Sequence, residues 1–185
     1  MLRIAVPADQ DPLTYVLGQA GSPALSRARA EAFNAQYDND SSLSPREREV
    51  ARMTIAHLMG CNHCVRIRMG RDRPGFSADP IPEELYTHVL EYRSWPGYSE
   101  RERLAAEFCE RFATDHVTLA DDDETWVRLH ENFSDAEIAD LCILAGTWDA
   151  GRRMFQVLRV AQSCHIGDEP VVPKMPEAMR AARSR

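Results

Sequence analysis

The stretch LSPREREVARMTIAHLMGCNHC, Leu43 to Cys64, opens on a helix start and closes on a pair of cysteines. Ser44-Pro45-Arg46-Glu47 places a capping serine, a proline at the first helical position and a glutamate at the third, a capping box. The pair at the other end, Cys61 and Cys64, has a histidine between its members and Gly60 in front. By itself such a pair is a redox couple, half of a zinc site or an inert coincidence.

Helix geometry limits how the two ends can cooperate. On an uninterrupted helix His57, Cys61, Cys64 and Arg68 follow at steps of four, three and four and share one face. In one straight helix the span from Glu49 to Cys61 rises about 18 Å and turns roughly 120°, which would keep the carboxylate away from the sulfurs. A break at Gly60 removes that obstacle by letting the chain fold back. It would also set Cys61 near the N-terminus of a following helix, whose positive dipole end favours a thiolate. The break is the expected arrangement.

Outward from this stretch the capping signature recurs at Ser134-Asp135-Ala136-Glu137 and, in looser form, at Ser99-Glu100-Arg101-Glu102. From Ser99 to about His116, Leu104, Ala105, Phe108, Cys109 and Phe112 recur at helical spacing. Ser134 to about Gln162 reads as one long helix or two end to end, with Gly146 and Gly151 as candidate kinks. Shorter helices are expected from Asp11 to about Gln19, Pro23 to about Tyr37 and Pro82 to about Arg93, with loops at GRDRPGFSADPIP and SWPGY. No β-type alternation of any length stands out, so the predicted class is all-α. One helical domain is expected over 1–166, followed by a proline-containing basic tail over 167–185.

At 185 residues the chain can bury a core without disulfides or metals. Its 22 basic and 29 acidic residues, a net charge of -7, lie scattered along amphipathic segments, which disfavours nucleic acid as a partner. With neither a secretory signal pattern nor an apolar run long enough to span a membrane, a cytoplasmic protein is expected, without a membrane partner. The five cysteines do not form a secreted disulfide framework, and in a reducing compartment a close pair is more often catalytic or metal-binding than structural. Cys109 and Cys142, on apolar stripes, read as small core residues. Cys164-His165 could supply the two further ligands of a zinc site on paper, but a single adjacent dipeptide lacks the usual second spacing.

Leu43 to Arg68 resembles the core motif of the alkylhydroperoxidase D-like and carboxymuconolactone decarboxylase superfamily: a glutamate, an apolar helix and a Cys-x-x-Cys pair. The resemblance implies an all-α, AhpD-like domain assembled as a homo-oligomer (trimer, hexamer or dimer), with no cofactor and no metal. It implies Cys64 as the residue that attacks a hydroperoxide, Cys61 as the one that resolves it as a disulfide, Glu49 as relay acid and base, and His63 as the histidine between the cysteines. An external dithiol is the implied reductant. This sequence departs from the family at residue 68, where Arg68 stands in place of histidine. Arginine cannot relay protons at neutral pH, although its charge can favour a thiolate, which leaves His57 or His63 as the base. Two other readings stay open. One is a decarboxylase or lactone-handling enzyme on the same fold, in which Arg68 and a histidine bind a small organic acid. The other is a non-catalytic oligomeric binding protein.

Overall fold

The structure, a computed structural model, describes residues 2–18, 20–37, 41–61 and 64–160. His63, the Cys164-His165 dipeptide and the tail over 167–185 lie outside the described residues. Within them every regular element is helical, and no strand occurs. Nor is any helix among them long and apolar enough to cross a membrane.

Helices α1 (Pro12–Gly18) and α2 (Pro23–Ala35) precede α3 (Pro45–Leu58), the helix of the opening stretch. The chain continues through α4 (Met69–Asp72), α5 (Glu83–Thr87) and a 3-10 turn at Val89–Glu91. It ends in α6 (Glu100–Thr114), α7 (His116–Ala120), α8 (Asp123–Asn132) and α9 (Asp135–Val157). Ser44, Ser99 and Ser134 cap α3, α6 and α9, each in a complete capping box with the glutamate three residues on.

Those capping glutamates also join the helices. Arg101 binds both Glu47 and Glu137, and Arg46 binds Glu102. The three N-termini are thus gathered at one end. At the other end the Gln156 side-chain amide donates to the Met59 carbonyl. Helices α3, α6 and α9 therefore run the same way, with α3 packed chiefly on α6 and both on α9.

α3 is central and buries nearly its whole circumference. Ala51, Ile55 and Leu58 face Leu104, Ala105 and Phe108 of α6 and Leu141 and Trp148 of α9. Val50, Met53 and Ala56 face a second cluster that includes Leu85, Tyr86, Val89, Tyr92 and both cysteines of the pair. All its charged residues but Arg46 and His57 are buried too, and each is matched: Glu47 by Arg101, Glu49 by Arg52, and Arg48 by the Gln36 carbonyl and the Phe76 ring.

Several expected boundaries moved. The helix foreseen from Pro82 to about Arg93 is split, because His88 leaves helical geometry at φ -96° and ψ 11° between α5 and the 3-10 turn. The segment read as one helix or two after Ser134 is a single α9, and Gly146 and Gly151 lie inside it without ending it. α4, α7 and α8 were not foreseen, although Asp122 caps α8 by accepting from the Thr125 N–H.

Candidate active site

The placing of the cysteine pair follows directly from how α3 ends. Gly60, at φ +61°, donates its N–H to the His57 carbonyl, while the Cys61 N–H reaches back to the Ala56 carbonyl. This is a Schellman stop with glycine in the left-handed position. Beyond it the Val65 N–H bonds the Cys61 carbonyl at 3.1 Å and closes a single turn. Cys61 and Cys64 are disulfide-bonded across that turn, their Cα atoms 5.3 Å apart, and the Cys64 N–H points at the Cys61 sulfur at 3.3 Å.

The break expected at Gly60 forms, so His57, Cys61, Cys64 and Arg68 do not share the face that an uninterrupted helix would have given them: α3 stops at Leu58. One expectation is corrected here. Cys61 does not stand at a helix N-terminus, because the next helix begins only at Met69.

Folding back brings Glu49 to the turn through an arginine. Arg52 Nε and Nη2 bind the two Glu49 oxygens at 2.6 and 3.1 Å. The same guanidinium donates to the Cys64 carbonyl at 2.8 Å and the Ile67 carbonyl at 2.7 Å, while Glu49 accepts from the Met69 N–H at 3.0 Å. One buried ion pair thus pins residues 64–69 onto α3. Burial alone would lower the Arg52 pKa, but the Glu49 carboxylate more than offsets it and the pKa is raised.

Cys64 forms part of the wall of a cavity of about 550 Å³. It is 9% exposed, against 3% for Cys61, so Cys64 is the more accessible residue of the pair. The wall is largely apolar, built from residues such as Phe33, Ile67, Met69 and Phe155, with Tyr37, Arg52, Arg29 and Arg152 as its main polar groups. Burial raises the Tyr37 phenol pKa, an effect partly countered by the positive Arg52, so the hydroxyl stays protonated at neutral pH.

The remaining predicted residues stand apart from this wall. Arg68 is turned away from it: its guanidinium binds Glu83 at 2.6 Å, donates to the Val65 carbonyl at 2.6 Å and covers the Tyr86 ring at 4.3 Å. That geometry fastens the turn to α5. His57, in the last turn of α3, is not among the residues lining the cavity. Burial, together with the charges of Arg152, Arg68 and Arg52, lowers its pKa to about 4, so its ring is neutral at physiological pH. Cys109 is buried as expected, and burial raises its thiol pKa. Cys142 is not a core residue. It is exposed and lines the cavity, because the buried stripe of α9 runs through Ile138, Leu141, Ala145 and Trp148 and leaves Cys142 beside it.

Arg52, Tyr37 and Arg152 were not singled out as site residues from sequence. The first had a signal in the three-residue spacing from Glu49. Arg152 had another: it is a charged residue at a core position of α9, between Trp148 and Phe155. Tyr37 had none.

Comparison with known proteins agrees with this architecture. The chain has no match among curated proteins. A solved structure from Agrobacterium tumefaciens, a protein of unknown function proposed to be the antioxidant defence protein AhpD, superposes with a TM-score of 0.64 at 22% identity. The match covers 80% of this chain and 94% of that one, and it shows a shared all-helical fold. Residues 23–107, which include α3, the Glu49–Arg52 pair and the cysteine turn, match the Carboxymuconolactone decarboxylase family. The resemblance read from Leu43 to Arg68 therefore stands, and the segment that builds the cysteine site is similar to the carboxymuconolactone decarboxylase family.

Proposed function

We propose that the protein is a thiol-dependent peroxidase that reduces a hydroperoxide through Cys64 and Cys61. The observation that carries this reading is a Cys61–Cys64 disulfide on the wall of an apolar cavity, with the buried Glu49–Arg52 pair beneath it. In the reduced protein the Cys64 thiolate attacks the distal peroxide oxygen. The O–O bond breaks, the sulfur becomes a sulfenic acid and an alkoxide leaves. Arg52, bonded to the Cys64 carbonyl, supplies a fixed positive charge that favours the thiolate. The alkoxide takes a proton to become an alcohol, and the protonated Tyr37 hydroxyl on the same wall is a donor for it.

The Cys61 thiolate then attacks the Cys64 sulfenic sulfur. The S–S bond forms and hydroxide leaves, as water once protonated. An external dithiol restores the pair by two exchange steps. Its thiolate attacks the more accessible Cys64, Cys61 departs as thiolate, and the second reductant thiol resolves the mixed disulfide. The Cys64 N–H directed at the Cys61 sulfur stabilises that leaving thiolate. Glu49 holds the Arg52 guanidinium in place beneath the turn, and assembly as a homo-oligomer belongs to the same reading.

Peroxide consumption with dithiothreitol as reductant tests it. Wild type turns over, Cys64→Ser does not, and Cys61→Ser accumulates a sulfenic acid at Cys64 that dimedone traps. Turnover of an organic acid retained by the double cysteine-to-serine variant would instead establish the decarboxylase or lactone reading.

A further inference from the structure

Arg152 has no explanation in the packing of the fold. It occupies a core position of α9 and is only 6% exposed, yet among the described residues its Nε and Nη1 have no hydrogen-bond partner. Asp149, on the preceding turn, attracts it at a distance, but one of its oxygens is bound by Arg153 at 2.6 Å and the other makes no hydrogen bond to Arg152. Burial and the neighbouring charge of Arg52 bring the Arg152 pKa down to about 9, which still leaves it protonated at pH 7. A buried cation without a counter-charge is costly, and a site that keeps one is suited to an anion.

The surroundings indicate which anion. Arg152 lines the same cavity as Cys64, and among the described residues the cavity wall includes three arginines and no aspartate or glutamate. Arg52 is matched by Glu49, and Arg29 donates to the Val16 carbonyl and to the Met154 sulfur at 3.2 Å. Of the three, Arg152 keeps two donors unpartnered among the described residues, Nε and Nη1, and Arg29 keeps one, its Nε. The rest of the wall is mainly hydrocarbon and aromatic, and about 550 Å³ is room for a chain and not only for hydrogen peroxide. A guanidinium above an apolar cavity suits a carboxylate on an alkyl body, the head bound in a fork and the chain buried.

We propose that the cavity binds an alkyl carboxylic acid, its carboxylate held by Arg152, and that the substrate class at Cys64 is accordingly the hydroperoxide of such an acid. The acid-binding part stands on the cavity and Arg152. The hydroperoxide part rests on the peroxidase reading above.

The experiment has two arms. In the first, decanoate and its methyl ester are titrated against wild type, Cys64→Ser, Arg152→Gln and Arg152→Met, with binding read by calorimetry. Wild type and Cys64→Ser should bind the acid at least tenfold more tightly than the ester. Both Arg152 variants should lose that preference, and their denaturant midpoints, no lower than that of wild type, should show that they are folded. In the second arm, kcat/KM is compared for a carboxylate-bearing alkyl hydroperoxide and for neutral cumene hydroperoxide, and Arg152→Gln should lower the ratio at least tenfold. Equal binding of acid and ester, no binding of either, or an undiminished preference in the variants would overturn the proposal, even if cumene hydroperoxide is turned over. If the acid binds through Arg152 but no peroxide is consumed, the acid site stands and the peroxidase reading falls.

Discussion

Arg52 and Glu49 face each other one turn apart on α3, their side chains 2% and 0% exposed, in a two-pronged ion pair that no solvent reaches. Removing one member leaves the other as a buried, uncompensated charge. Glu49→Gln is expected to cost about 3–5 kcal/mol in urea unfolding. Glu49→Leu combined with Arg52→Met should recover part of that loss, since no charge is then left alone. Recovery will be incomplete because the Cys64 and Ile67 carbonyls lose their donor.

His57 makes stability depend on pH above the range in which carboxylates act. Its folded pKa of about 4 lies below the unfolded value near 6.5, so the unfolded chain takes up a proton first as the pH falls. The contribution is therefore complete above about pH 6.5 and is lost as the pH drops toward 4, by roughly 1–3 kcal/mol. Asp122 and Glu137, held at about 2 chiefly by hydrogen bonds from Arg111 and Arg101, weaken the fold as the pH falls from about 4.5 toward 2, mostly below that window. Urea midpoints measured at pH 7 and pH 4.5 should differ clearly for wild type and by less for His57→Leu.

Arg68 makes its contacts with Glu83 and the Val65 carbonyl and does not line the cavity. Because Glu83 is 58% exposed, Arg68→Ala should cost about 1 kcal/mol or less. In the reduced protein it should leave the pH midpoint of Cys64 alkylation within about half a unit of wild type. A midpoint shifted upward by a full unit would show that Arg68 does tune the thiolate.

Gly60 sits in left-handed geometry with open space around it, so a substitution there meets backbone strain without a side-chain clash. Gly60→Ala is expected to cost about 1 kcal/mol and Gly60→Asn less, since asparagine visits that region more readily. Thermal unfolding of the two variants checks the order.

What could be read from the sequence was what neighbouring residues settle among themselves. The capping boxes at Ser44, Ser99 and Ser134 each need four consecutive residues, and the stop at Gly60 needs one glycine after an apolar run; all are present. The closeness of Cys61 and Cys64 follows from their spacing. Arg52 became part of the site only when the turn folded back to offer it two carbonyls. Tyr37 and Arg152 come to the Cys64 cavity from α2's end and from α9, and no local rule links such distant positions. Arg68 was misplaced for a related reason: its partner Glu83 lies beyond the loop that carries it toward α5.

The common direction of α3, α6 and α9 also bears on how the chain folds. Neighbouring helices that point the same way cannot be joined by a tight hairpin, so residues 59–99 and 115–134 must each travel back along the bundle before the next helix begins. The carboxylates at the helix starts meet their arginines only after those long loops close, and loop closure carries an entropy cost before any contact offsets it. The chain thus combines fast local helix formation with a slow topological search of the kind more usual in β-sheet proteins. The cysteine turn lies within the first of the two returning segments.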